Sequence, residues 1–162
     1  MSAQTPLADA VEVRSLLESL VGRDVEVLTG ASAQDPAKGD GCLVGMYVDD
    51  IGAVAALVLL DVPLAAYLGG ALGLVPVRMA QQAVDHGGLP DGLLENASEV
   101  LNVMGSLFNA EGAPHVRLET VFEPGHPVPA DVARHAQAFG RRCDLDVDVA
   151  GYGRGGFSLV VV

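Results

Sequence analysis

Apolar residues recur along this chain at two spacings, and the longer spacing is clearest between Asp91 and Asn109. There Ala97, Val100, Leu101, Met104, Leu107 and Phe108 fall on one arc of a helix, and Glu95, Glu99, Asn102, Ser106 and Asn109 fall on the other. Residues three and four apart share a helical face. The segment therefore predicts a long helix anchored on a core by one side, each large buried side chain contributing a gross ~1.5–3 kcal/mol. The polar stripe must then face outward. It holds no base and two Asn, a poor helix former, whereas a merely solvated face mixes Lys and Arg with Glu.

Read the same way, the rest of the chain predicts a helix over 6–21, a strand over 23–29 and a Gly-, Asp- and Pro-rich loop over 30–40. Strands follow at 41–48 and 52–60, then helices at 62–72 and 76–86. Asp61 reads as an N-cap, with Pro63 tolerated in the first turn. The break at Gly87, Gly88, Leu89 and Pro90 leads to Asp91, the expected N-cap of the long helix. Beyond it come a strand at 115–122, a Pro-rich turn at 124–129, a helix at 129–139 and strands at 141–149 and 154–162. Gly151 to Gly156 superficially resembles a phosphate-cradling loop, but no helix follows it, so a hairpin turn is expected.

The order of elements repeats. A helix, a strand and two hairpin-like strands occur in 6–60 and again, with an inserted helix, in 91–162. Laid over each other without gaps, the lead helices match Glu12 with Glu99, Ser15 with Asn102, Ser19 with Ser106 and Leu20 with Leu107. The reading is an α+β fold of pseudo-symmetric halves. One working site is expected, because Ser replaces Asn in the first half.

Composition narrows the function classes. The chain has 162 residues with 50% hydrophobic content, enough for a single domain over 1–162 with a proper core. A net charge of −12 disfavours nucleic acid and anionic membrane surfaces as partners. Aromatics are only 4% and Trp is absent, which leaves no platform for stacking bases or sugars. Nothing at the N-terminus has the order of a secretory signal, so the cytoplasm is expected.

The apolar stretch 52–77 is long enough to cross a bilayer, but Asp61, Pro63 and the Gly69–Gly70 pair interrupt it, and a buried strand followed by a small-residue helix fits better. His86, His115, His126 and His135 make no metallopeptidase-type pair, Cys42 and Cys143 stand alone, and no metal site is expected. Ser98 and Ser106 lack a nucleophile elbow. Tyr47, Tyr67 and Tyr152 read as packing residues with a wet hydroxyl.

One spacing goes further. Glu95, three residues, Glu99, two residues, Asn102, twenty-one residues and Pro124 reproduce the pattern of the CheC, CheX and FliY family of chemotaxis phosphatases, with Glu95 standing where that family has Asp or Ser. The run Glu99 to Ser106 resembles the Glu-Ile-Ala-Asn-Met-Ile-Ala-Gly run of CheX-like helices. The resemblance extends over roughly 40–162, is strongest from 90 to 124, and favours the CheX branch because only one motif is intact.

It implies a CheC-like domain, an extended, mostly antiparallel sheet backed by long helices. It also implies hydrolysis of the phospho-aspartate on a CheY-like receiver, with Glu99 pairing with the partner's lysine. Asn102 would orient water, since a carboxamide both donates and accepts, as Gln does in GTPases. Glu95, Ser98, Ser106 and Pro124 would contact the partner, Pro124 by shaping its loop. No cofactor is expected on this chain, the magnesium being the receiver's. The apolar strand Phe157 to Val162, were it an edge, would need covering, and the resemblance implies a homodimer through the sheets. Two other readings stand beside the phosphatase: a non-catalytic receiver-binding or flagellar-switch-type adaptor, and a small-ligand sensor using the region 62–77.

Overall fold

The computed structural model describes residues 4–162, in which five helices and six strands alternate as the periodicity predicts. They are α1 (Ala10–Val21), β1 (Val25–Thr29), β2 (Cys42–Val48), β3 (Val54–Asp61), α2 (Val62–Leu72), α3 (Val77–His86), α4 (Asp91–Met104), β4 (Arg117–Phe122), α5 (Ala130–Ala136), β5 (Arg142–Val149) and β6 (Gly153–Val161). α1 begins four residues later than expected because Asp9 and Glu12 close a capping box, each side chain accepting from the other's backbone N–H.

The strands form one antiparallel sheet in the order β1-β5-β6-β3-β2-β4. Exchanging the two halves, β1 with β4, β2 with β5 and β3 with β6, reverses this order and leaves the neighbours unchanged. The pseudo-symmetry expected from the sequence is thus present in the sheet, with its axis between β3 and β6.

That arrangement corrects one expectation. β6 is paired on both sides, with β5 and β3, so the edges are β1 and β4, and the edge argument for a homodimer does not apply to the apolar strand. Burial follows from the position: Gly155 to Val161 are buried.

One face of the sheet carries the main core, where Leu17 of α1, Leu64 and Leu68 of α2, and Leu101 and Met104 of α4 meet Leu43, Tyr47, Val58, Leu60 and Phe157. α5 packs on the other face, where Val132 and Ala136 cover Val44, Leu57, Leu59 and Val160. The helices are therefore not confined to one side. α2 is sunk between sheet and helices, with Leu64 to Ala71 all buried.

Asp61 caps α2 as expected, its carboxylate accepting from Leu64 N–H at 2.9 Å. It also accepts from Gly156 N–H at 2.8 Å, tying the helix start to β6. The Gly151–Gly156 segment is the β5–β6 hairpin, not a phosphate loop. Gly155 is needed there because a Cβ would stand 2.5 Å from the Leu64 nitrogen. No helix is long and apolar enough to cross a membrane among the described residues.

Candidate functional site

The site helix α4 is capped one residue before the expected position. Pro90, extended at φ −60°, offers the first helical carbonyl to Leu94 N–H, and Asp91 is the first helical residue, its charge favourably near the positive end of the helix dipole. The helix crosses α2 closely because Gly69 has no side chain: a Cβ there would lie 2.8 Å from the Leu93 carbonyl oxygen. Asn96, which the sequence did not single out, fixes the crossing by donating to the Gly69 carbonyl at 3.0 Å.

At its C-terminal end α4 tightens. Gly105 to Phe108 form a 3-10 turn, and the Gly105 N–H turns to the carbonyls of Asn102 and Val103. The Leu101 carbonyl instead takes a hydrogen bond from the Tyr47 hydroxyl at 2.5 Å. Tyr47 is fully buried in β2, its ring 4.8 Å from that of Phe108. Its hydroxyl is therefore not wet, which corrects the sequence reading. Burial also pushes that hydroxyl's pKa well above its ordinary value, so it stays a donor. The residue that follows this anchored carbonyl is Asn102.

Glu95, Glu99, Asn102 and Ser106 are all exposed on one face. Glu99 and Asn102 stand one turn apart, about 4.5 Å along the axis. Among the described residues their side chains have neither hydrogen bond nor ion pair, whereas the other Asn side chains of the segment are engaged. Ser98 lies about 60° round the helix from Glu95 and is half-buried at the margin of the stripe.

Asn109, fifth in the predicted stripe, follows the 3-10 turn and is used structurally. It donates to the carbonyls of Gly105 and Val116 and accepts from Val116 N–H, clamping the turn to the approach to β4. Pro124 is half-buried at the far end of β4. The following Gly125 packs on Gly41, and Asp40 packs on Gly87 ahead of α4. Pro124 thus belongs to the end of the molecule from which α4 starts.

No cluster of His, Cys, Asp or Glu could hold a metal ion among the described residues. Burial first, then Asp61 and Asp35, push the Cys42 thiol up to about 12, far from a reactive thiolate. On α1, Glu12 and Ser15 are exposed where the repeat puts them, but Glu12 is taken up in the capping box.

A chain of the FliM–SpeE complex from H. pylori superposes on this architecture with a TM-score of 0.50 at 9% identity, covering 94% of this chain and 80% of that one. The two share a fold. Similar at lower scores are FliY of Thermotoga maritima, with a TM-score of 0.46 at 12% identity over 91% of this chain and 81% of that one, and CheX of Vibrio vulnificus, with 0.40 at 13% over 91% and 92%. No family model and no curated protein matches the chain. What the likeness to the FliM–SpeE chain establishes is architecture, and the chemistry of the stripe has to be argued from its own residues.

Proposed function

We propose that this protein accelerates hydrolysis of the phospho-aspartate on a CheY-like receiver domain. The observation that carries the reading is the pair Glu99 and Asn102, exposed, unpartnered and one turn apart on a helix whose backbone is pinned at Leu101 by Tyr47. The expected CheX-type spacing to Pro124 supports it.

The chemistry asked of these groups is small. Water attacks phosphorus, the bond between phosphorus and the aspartyl oxygen breaks, and the products are a carboxylate and inorganic phosphate, which takes the water's proton. The receiver's own magnesium and lysine already hold the phosphoryl group, so the added requirement is a water held in line. The Asn102 carboxamide accepts a hydrogen bond from that water and donates another to it or to a phosphoryl oxygen. The Glu99 carboxylate pairs with the receiver's lysine. Glu95, Ser98 and Ser106 contact the partner around them.

Loss of acyl phosphate from a phosphorylated receiver, followed with sub-stoichiometric protein, tests this. Wild type is expected to speed the loss at least tenfold, and Asn102→Ala to abolish the effect while leaving binding of the phosphorylated receiver within about twofold. Unchanged dephosphorylation of every receiver in the genome would sink the enzyme reading. Phosphorylation-dependent binding without acceleration would instead establish an adaptor.

A further inference from the structure

A groove of about 670 Å³ opens between α3 and α4, floored by Ala83 and Leu93 and walled by Val75, Met79 and Leu89, with Glu95 on its rim. Glu95 belongs to both groove and stripe, so the two are continuous. Apolar surface that solubility does not explain continues from the groove: Met79 on its wall is 55% exposed, and Leu74, next in the chain to the wall residue Val75, is 80% exposed.

Leu74 is also strained. It follows the α2 cap at φ +54°, and no other described residue besides glycine has a positive φ. Glycine is the residue this left-handed position favours, as at the ends of α1 and α3. A side chain that is costly to the backbone and exposed to water is kept where something else uses it.

Resting on the phosphatase reading, we propose that the groove seats an apolar side chain of the same docked receiver, with Leu74 and Met79 as contacts, and so selects which receiver is served. Reach favours this occupant. Glu95 and Asn102 are about 10 Å apart along the helix axis, while a partner interface of ordinary size covers ~800 Å² on each side. A receiver centred on Asn102 therefore overhangs the groove. Charge favours it as well, because Asp91, Glu95 and Glu99 are exposed along this side of α4 and complement the lysine that Glu99 is to meet. The structure assigns the groove to a receiver that presents a large apolar residue close to its active-site lysine.

The test measures the affinity of the intact protein for each receiver of the genome loaded with beryllofluoride, a stable mimic of the acyl phosphate. For the receiver that binds wild type, Leu74→Gly and Met79→Gln are each expected to raise Kd at least fivefold. Leu74→Gly should do so without lowering the Tm, since it relieves the left-handed strain. Unchanged Kd in both variants overturns the groove while leaving the phosphatase reading intact. Failure of wild type to bind any loaded receiver overturns both.

Discussion

The Leu101 carbonyl sits where α4 stops being an α-helix, and the Tyr47 hydroxyl donates to it in place of the backbone N–H that the 3-10 turn takes away. Under the proposed function this makes Tyr47 a positioning residue for Asn102, one step along the chain. Tyr47→Phe keeps the ring against Phe108 and removes only the hydroxyl, leaving a buried carbonyl short of a donor at a cost of about 1–3 kcal/mol. Chemical denaturation is expected to show that loss. If the protein is the phosphatase proposed above, receiver turnover by the same variant should fall in kcat more than in KM, because the support of Asn102 loosens while Glu95 and Glu99 stay in place. An equal effect on both parameters would reduce Tyr47 to a packing residue.

Among the elements, β5 shows how a strand is tied to its surroundings by one ion pair. Arg142 holds the Asp144 carboxylate in a two-point pair, donates to the Ala136 and Ala138 carbonyls at the end of α5, and leaves Asp144 to accept from Ser158. Burial alone would raise the Asp144 carboxyl, but the hydrogen bonds from Arg142 and Ser158 and the arginine's charge outweigh it and hold the group below the usual carboxylate range. A depressed folded value means stability that is complete above the unfolded value, ~3.9, and is lost as pH falls through the folded one. Asp144→Asn is therefore expected to destabilise by about 1–2 kcal/mol at pH 7. Urea melts should show the gap from wild type narrowing below pH 4.

The same scale shows what the sequence could reveal. A period of 3.6 is enough to place Glu95, Glu99, Asn102 and Ser106 outward, because the buried arc of α4 leaves no other orientation. The cap at Asp61 and the hairpin at Gly151 were legible for the same local reason. Tyr47 was not, since a tyrosine in an apolar strand reads alike whether its hydroxyl meets water or a carbonyl close in space but 54 residues away. The central place of β6 and the far-side position of α5 were hidden too. Apolar strands look the same at an edge and in the middle, and an amphipathic helix does not name the face it covers. Asn109 keeps helical register with the stripe, but the 3-10 turn at Gly105 hands it to Val116.

Taken as a whole, the molecule is two half-sheets joined at their centre. The joint is the β3–β6 pair, with Ala56 opposite Val161 and Leu60 opposite Phe157. The strands of this joint are far apart in the chain, 105 positions from Ala56 to Val161. Closing so long a loop before any contact rewards it slows folding, and sheets built from such pairings fold in about milliseconds to seconds. Stopped-flow refolding is expected in that range, and microsecond refolding would contradict it. Tyr47 can hold Leu101 only once β2 lies on β3, and β3 is secured by β6, the sixth strand to be synthesised. Under the proposed function, competence of the Asn102 face is expected to come late in the life of each chain, so a nascent chain that still lacks β6 should not yet present it.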